Sequence, residues 1–321
     1  MTSRGRLLLL GVLACIACTP AASAGAVGQP LPSSASGKAG AVAPGGGERF
    51  LALRAGHDTL VQVVRRGDRR PLRSRAIGGR WTVPAATIEG GTTGLSADGG
   101  VLALVRPTRS FPPESTSIAV LDARRLLVLR RISLPGFFTV DAISPDGIWL
   151  YLIEYAGQDP LDYRVRALDT RSGRLAPRPV VDPRKPGERM GGLPLTRTMS
   201  RDGRWVYTLY SGGEETFIHA LDTVGRSAAC IDLDTLPPEG DLSGYRLILS
   251  ADGRRIGVHQ HGSVVATVGA PTVALSQPRA APASHLSSPA PADGGGFPWW
   301  ALLPVAGVCV LVARTVAARV R

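Results

Sequence analysis

The chain has 321 residues, 19% of them charged, with a formal net charge of +12 and four cysteines. Its 44% hydrophobic content excludes a disordered polyampholyte, and so few cysteines exclude a disulfide-stapled scaffold. All of the 37 basic residues except Lys38 and Lys185 are arginine, but no nucleic-acid-binding motif accompanies them, so nucleic acid is not an expected partner.

Met1-Thr2-Ser3-Arg4-Gly5-Arg6 is followed by an apolar run over residues 7–17 and by Ala22-Ser23-Ala24. A basic start, a short apolar stretch and a small-x-small site predict a signal peptide over residues 1–24. Cys15 and Cys18 leave lipid attachment open as the alternative to cleavage. The stretch Cys15-Ile16-Ala17, however, lacks the leucine expected before such a cysteine. Residues 25–47 are mostly Gly, Ala, Pro and Ser with Lys38 as the single charge, and are expected to form a flexible leader.

Residues 48–269 are expected to fold as one all-β domain. Short β-branched and aromatic runs alternate there with Gly, Pro and Asp. Ser-x-Asp-Gly occurs four times: Ser96-Ala97-Asp98-Gly99, Ser144-Pro145-Asp146-Gly147, Ser200-Arg201-Asp202-Gly203 and Ser250-Ala251-Asp252-Gly253. The aspartates lie 48, 56 and 50 residues apart. A turn repeated at this period between strands marks a radially repeated architecture. Asp accepts backbone hydrogen bonds in such a turn and Gly takes the positive φ, so the motif needs no catalytic explanation. Leu121-Asp122, Leu168-Asp169 and Leu221-Asp222 end the third strand of three successive units. An opening unit, with Arg49-Phe50-Leu51-Ala52-Leu53, lacks the tetrapeptide, and the unit after Asp252 is cut short.

Residues 270–296 carry five prolines and a closing Gly294-Gly295-Gly296, a stalk of up to roughly 90 Å when extended. Residues 297–313 hold no charge, begin beside Trp299 and Trp300, and precede Arg314, Arg319 and Arg321. They predict a membrane helix over residues 297–318 with a cytoplasmic stub at 319–321. The expected topology is single-pass type I with the domain extracytoplasmic. Setting aside two arginines in residues 1–24 and three at the C-terminus leaves +7 on the exterior part. That balance suits an anionic envelope polymer or lipid headgroups. The arginine excess is also what a GC-rich bacterial genome encodes by default.

Ile143-Ser144-Pro145-Asp146-Gly147-Ile148-Trp149-Leu150-Tyr151-Leu152, with Leu168-Asp169-Thr170 about twenty residues on, resembles the WD40-like propellers of the TolB type and the surface propellers with Tyr-Val-Thr-Asn repeats. The resemblance covers roughly residues 50–268 and implies a secreted β-propeller. Those families usually carry six to eight blades. About 220 residues supply four to five here, so the ring is expected either to stay open or to be closed by N-terminal strands. Such blades serve binding proteins, lactonases and peptidase side domains alike.

Arg65, Arg66, Arg69, Arg70, Arg73 and Arg75 crowd into eleven residues and are the candidate ligand-binding cluster. His259 and His261, at strand spacing, are weak metal candidates that need a third ligand from groups such as His57 or His219. Solvated histidines are the commoner outcome, and neither a metal nor any other cofactor is expected. Glu214-Glu215 reads as a solvated loop pair, Cys230 as a core residue, and no Gly-x-Ser-x-Gly elbow is present. The expected function is a non-catalytic binding or scaffolding module at the bacterial cell surface. Its partner would be a protein or an anionic envelope polymer, held on the loop face or in the channel. The loops at residues 106–115, 156–161, 181–194 and 211–215 are the candidates. The alternative is an extracytoplasmic hydrolase or lactonase with an acidic or metal site in the channel.

Overall fold

Strands follow strands throughout the computed structural model, which describes residues 40–108, 112–155, 163–187 and 190–271. The first sheet contains β1 (Ala41–Val42), β2 (Glu48–Ala55), β3 (Asp58–Arg65) and β4 (Pro71–Ile77). The second contains β5 (Val101–Val105), β6 (Ser115–Asp122) and β7 (Leu127–Pro135). The third contains β8 (Phe137–Ile143), β9 (Trp149–Tyr155), β10 (Arg164–Asp169) and β11 (Arg174–Leu175). The fourth contains β12 (Leu193–Met199), β13 (Trp205–Ser211), β14 (Phe217–Asp222) and β15 (Ser227–Asp232), and the fifth β16 (Tyr245–Leu249), β17 (Arg255–Gln260) and β18 (Ser263–Gly269). Each is an antiparallel meander in chain order, the form of a propeller blade.

The leader expected over residues 25–47 gives way to structure early, because Ala41 pairs with Phe50 and Val42 with Arg49. The expected signal peptide, most of the stalk, the membrane helix and the stub lie outside the described residues. Among the described residues no helix is long and apolar enough to cross a membrane.

All four tetrapeptides fold alike. The serine Oγ donates to the aspartate Oδ1 at 2.5 to 2.6 Å and accepts from the backbone N–H five residues on at 2.9 Å. The same Oδ1 accepts from the N–H two residues later. Gly99, Gly147, Gly203 and Gly253 sit at φ between +65° and +72°. One hydroxyl and one carboxylate thus satisfy the donors of a turn that must bend without a helix or ladder partner. The Leu-Asp turns work similarly: Asp122, Asp169 and Asp222 each accept two N–H groups from the next three residues. Thr170 and Thr223 then donate to the carbonyls of Gly147 and Gly203, clamping both turns of a blade together.

Both kinds of turn fall at one end of the blades, called the turn end below. Pro44 of the β1–β2 turn lies against Gly99, and the Asp98 N–H donates to the Pro145 carbonyl at 3.0 Å. The remaining connections form the loop end.

Four buried apolar clusters bind the blades in succession. The first joins blades 1 and 2 (Phe50, Val61, Leu102, Leu121) and the second joins blades 2 and 3 (Val105, Ile118, Leu150, Leu168). A third joins blades 3 and 4 (Tyr151, Val165, Val206, Leu221), and the last joins blades 4 and 5 (Leu209, Ile218, Leu247, Ile256). Among the described residues no cluster joins blade 5 to blade 1. On the outward face of blade 5, Ile248 and Val264 are 52% and 60% exposed.

Candidate functional site

Blade 2 lacks a regular first strand. Gly94 and Leu95 fill part of its place, with the Ala103 N–H donating to the Gly94 carbonyl at 2.7 Å. Residues 84–93 instead make a short hairpin, bridged at Ala85 and Thr92, that reaches across the axis. At its tip the Ile88 N–H donates to the carbonyl of Pro194 on blade 4 at 2.9 Å. At its base the Thr92 Oγ1 donates to the carbonyl of Gly40 beside blade 1 at 2.8 Å. Blades 1, 2 and 4 are thus tied through the centre.

Beneath this hairpin lies a cavity of about 350 Å³. Its walls are largely apolar, with Val42, Leu95, Ile143, Met199 and Val206 among them, and its charged lining residues are Arg197 and Arg201. Ser96, Ala97 and Gly203 of the tetrapeptide turns also line it, so it opens at the turn end. Of the two expected places, the loop face and the channel, this cavity lies in the channel, at its turn end. Arg201 is exposed at the mouth.

Arg197 is held from behind. Its guanidinium donates to the Asp141 carbonyl at 2.6 Å, to the Asp141 carboxylate at 2.5 Å and to the Thr208 hydroxyl at 3.0 Å. Asp141 sits where the register between β8 and β9 slips by one residue, between Val140 and Ala142. Such a bulge re-aims a side chain, here into the interface with blade 4. The ladder continues Arg197–Thr208–His219–Cys230 across β12 to β15, a polar row running from the channel to the rim through an otherwise apolar core. At the rim the buried Asp182 carboxylate accepts from the Cys230 N–H at 3.2 Å and from Arg184.

The row is electrostatically uneven. Burial pushes the His219 imidazole below its ordinary pKa, and the Asp141 carboxylate only partly opposes this. Burial drives the Tyr210 phenol well above its usual range. Arg184 and the N–H groups of Arg184 and Cys230 outweigh burial at Asp182 and hold its carboxyl low. Asp141 Oδ2, Arg197 Nε and His219 Nε2 are buried without a hydrogen-bond partner among the described residues. Sequence reasoning passed over Asp141 and Arg197 because each stands alone in an apolar strand, 56 residues from the other.

The sequence-predicted residues fall elsewhere. Arg65, Arg66, Arg69 and Arg70 form the β3–β4 turn at the turn end, with Arg69 at φ +57°. Arg65 pairs with Asp68 at 3.4 Å and Arg66 donates to the Gly46 carbonyl at 3.2 Å. Arg73 lies along β4 and pairs with Glu48 at 3.1 Å, a second counter-charge beside Asp68. His259 and His261 do not share a face: β17 ends at Gln260, and His261 turns away at φ +51° to meet Asp241 at 3.0 Å. His57 is exposed in the β2–β3 turn and His219 is buried between blades 3 and 4. Among the described residues no three His, Cys, Asp or Glu side chains are grouped to hold a metal. The loop 156–161 lies outside the described residues.

Five successive meanders around an axial cavity define a β-propeller-type domain. No protein-family model and no curated protein matches the chain. Among solved structures it is similar to Kuenenia stuttgartiensis hydrazine synthase (TM-score 0.46, 16% identity, 71% of this chain and 70% of that one). It is also similar to TolB from Acinetobacter baumannii (0.36, 15%, 63% and 44%) and to an acylaminoacyl peptidase (0.40, 10%, 70% and 35%). The chain thus spans less than half of the last two. At these values no activity carries across, and the propeller assignment rests on the chain's own sheets.

Proposed function

We propose that this chain is a non-catalytic binding module displayed outside the cell, exported by residues 1–24 and held by residues 297–318. Its ligand sits in the axial cavity. The observation that supports this reading is the cavity's lining: apolar walls with Arg197 fixed inside and Arg201 at the mouth. Such a site suits an amphipathic anion, whose apolar body replaces water against Val42, Ile143 and Met199 while its head meets guanidinium. At about 350 Å³ the cavity falls at the small end of the range for organic ligands.

Calorimetric titration with decanoate, with decanol as the uncharged control, tests this. Decanoate is expected to bind, and Arg201→Gln to weaken it about tenfold, the worth of one charge-assisted hydrogen bond. Equal binding of decanol, or no effect of the substitution, would overturn the reading. The hydrolase alternative draws on Asp141 and His219, which lie near enough for the carboxylate to act on the imidazole's charge. Both side chains are buried, and the Asp141 charge is already committed to Arg197.

A further inference from the structure

The two ends of the domain carry opposite charge. The first-to-second and third-to-fourth strand turns, with their flanking strand residues, hold thirteen arginines against nine carboxylates. Among the described residues the loop end, counted in the same way, holds six basic groups against ten acidic ones. The side chains widen this difference. At the turn end Asp98, Asp146, Asp202 and Asp252 are occupied by their own serine and backbone N–H groups. Asp222 there is fully buried against Arg204. The arginines face outward on every blade: Arg69, Arg125, Arg171, Arg201, Arg226 and Arg254 are all exposed. Val224, 55% exposed, stands among them.

The chain also leaves at this end. β18 runs from the loop end to the turn end, and the Ala270 N–H donates to the Arg254 carbonyl at 2.8 Å. The apolar run at residues 297–313 follows the stalk from there.

We propose that the turn end is a docking face for an anionic bilayer, with the acidic loop end turned away from it. Arginines spread over all five blades match a plane of headgroups better than a linear polymer, which would be served by one basic groove. Each arginine near such a surface contributes on the order of 1 kcal/mol, falling off within a Debye length. The acidic end would be repelled by the same surface, so the charge separation orients the domain as well as attracting it. The charge separation stands by itself; the chain's exit toward a bilayer rests on reading residues 297–318 as a membrane helix.

The test uses the full chain reconstituted in phosphatidylcholine vesicles, with and without phosphatidylglycerol, and reads backbone hydrogen exchange blade by blade. Exchange over residues 122–127 and 222–227 is expected to slow at least about fivefold with the anionic lipid. Residues 232–244 at the loop end should not change. The protection should vanish in about 1 M salt, where the screening length falls to about 3 Å. It should also weaken roughly fivefold per residue in Arg69→Gln, Arg125→Gln and Arg171→Gln. Equal exchange in both lipids overturns the proposal. So does protection by soluble dextran sulfate but not by anionic vesicles, which assigns the face to a polymer. Retention of the chain on vesicles through the salt wash reads the membrane anchor separately. Loss of retention sinks the anchor and leaves lipid-dependent protection at low salt as the measure of docking.

Discussion

Arg197 of β12 grips the Asp141 carboxylate of β8 at 2.5 Å, with side chains 8% and 3% exposed. This is the one buried ion pair between blades among the described residues, and it stands directly behind the cavity. A pair removed from water is worth little against an apolar replacement, yet breaking it strands a charge. Arg197→Met or Asp141→Leu alone should therefore cost about 3–5 kcal/mol in urea unfolding. The double substitution should recover most of that loss. An additive double variant would show that the two groups act independently.

Acid should loosen the same interface. The folded pKa of His219 is depressed by burial, so the unfolded chain takes up its proton first as pH falls. The stability tied to this group is complete above the unfolded value of about 6.5 and declines as pH drops below it. Asp182 and Asp222, whose folded values are depressed, add losses at lower pH as they protonate. Melting temperature should therefore fall between pH 7 and pH 5, and His219→Leu should flatten that part of the curve. An unchanged slope in the variant would remove His219 as the cause.

Gly147 tests the turn chemistry. It sits at φ +71°, and a Cβ there would lie 2.4 Å from the Val101 side chain of the neighbouring blade. Gly147→Ala should combine left-handed strain of about 1–2 kcal/mol with that clash. Gly253 has a similar φ but nothing within 4 Å, so Gly253→Ala should show the strain alone. Comparing the two by thermal unfolding separates backbone strain from packing between blades.

The outward face of blade 5 makes a contrasting prediction. Leu247 and Ile248 are adjacent on β16, but Leu247 faces blade 4 and is 7% exposed, whereas Ile248 is 52% exposed. Leu247→Lys should cost more than about 3 kcal/mol, and Ile248→Lys should stay within about 0.5 kcal/mol. A severe effect of Ile248→Lys would mean that the face is covered in solution.

The repeated turns were legible because their chemistry is local. A serine, an aspartate and a glycine within four residues carry both the hydrogen bonds and the required φ, so each copy could be recognised without its partners. Their spacing implied four to five blades, and the described residues form five sheets. The hairpin at residues 84–93 was not legible: Pro84-Ala85-Ala86-Thr87-Ile88-Glu89 has no strand alternation, and its anchor at Pro194 is distant in sequence. Arg197 and Asp141 escaped for the same reason, since a bulge in β8 and a strand from another blade had to bring them together. The histidines erred the other way: spacing of two implies one face only while the strand continues, and β17 stops between them.

The entry and exit of the chain have a mechanical consequence. The described part begins at the loop end of β1 and finishes at the turn end of β18, so tension between the two termini runs along the strand axes and loads the interfaces between blades in shear. Among the described residues β1 is joined to β2 at two residue pairs, Ala41 with Phe50 and Val42 with Arg49. That short strand is the first link to yield, and its release would unmask the wall of the cavity that it forms. A tug on the N-terminal side would thus open the pocket while the other four blades stay folded.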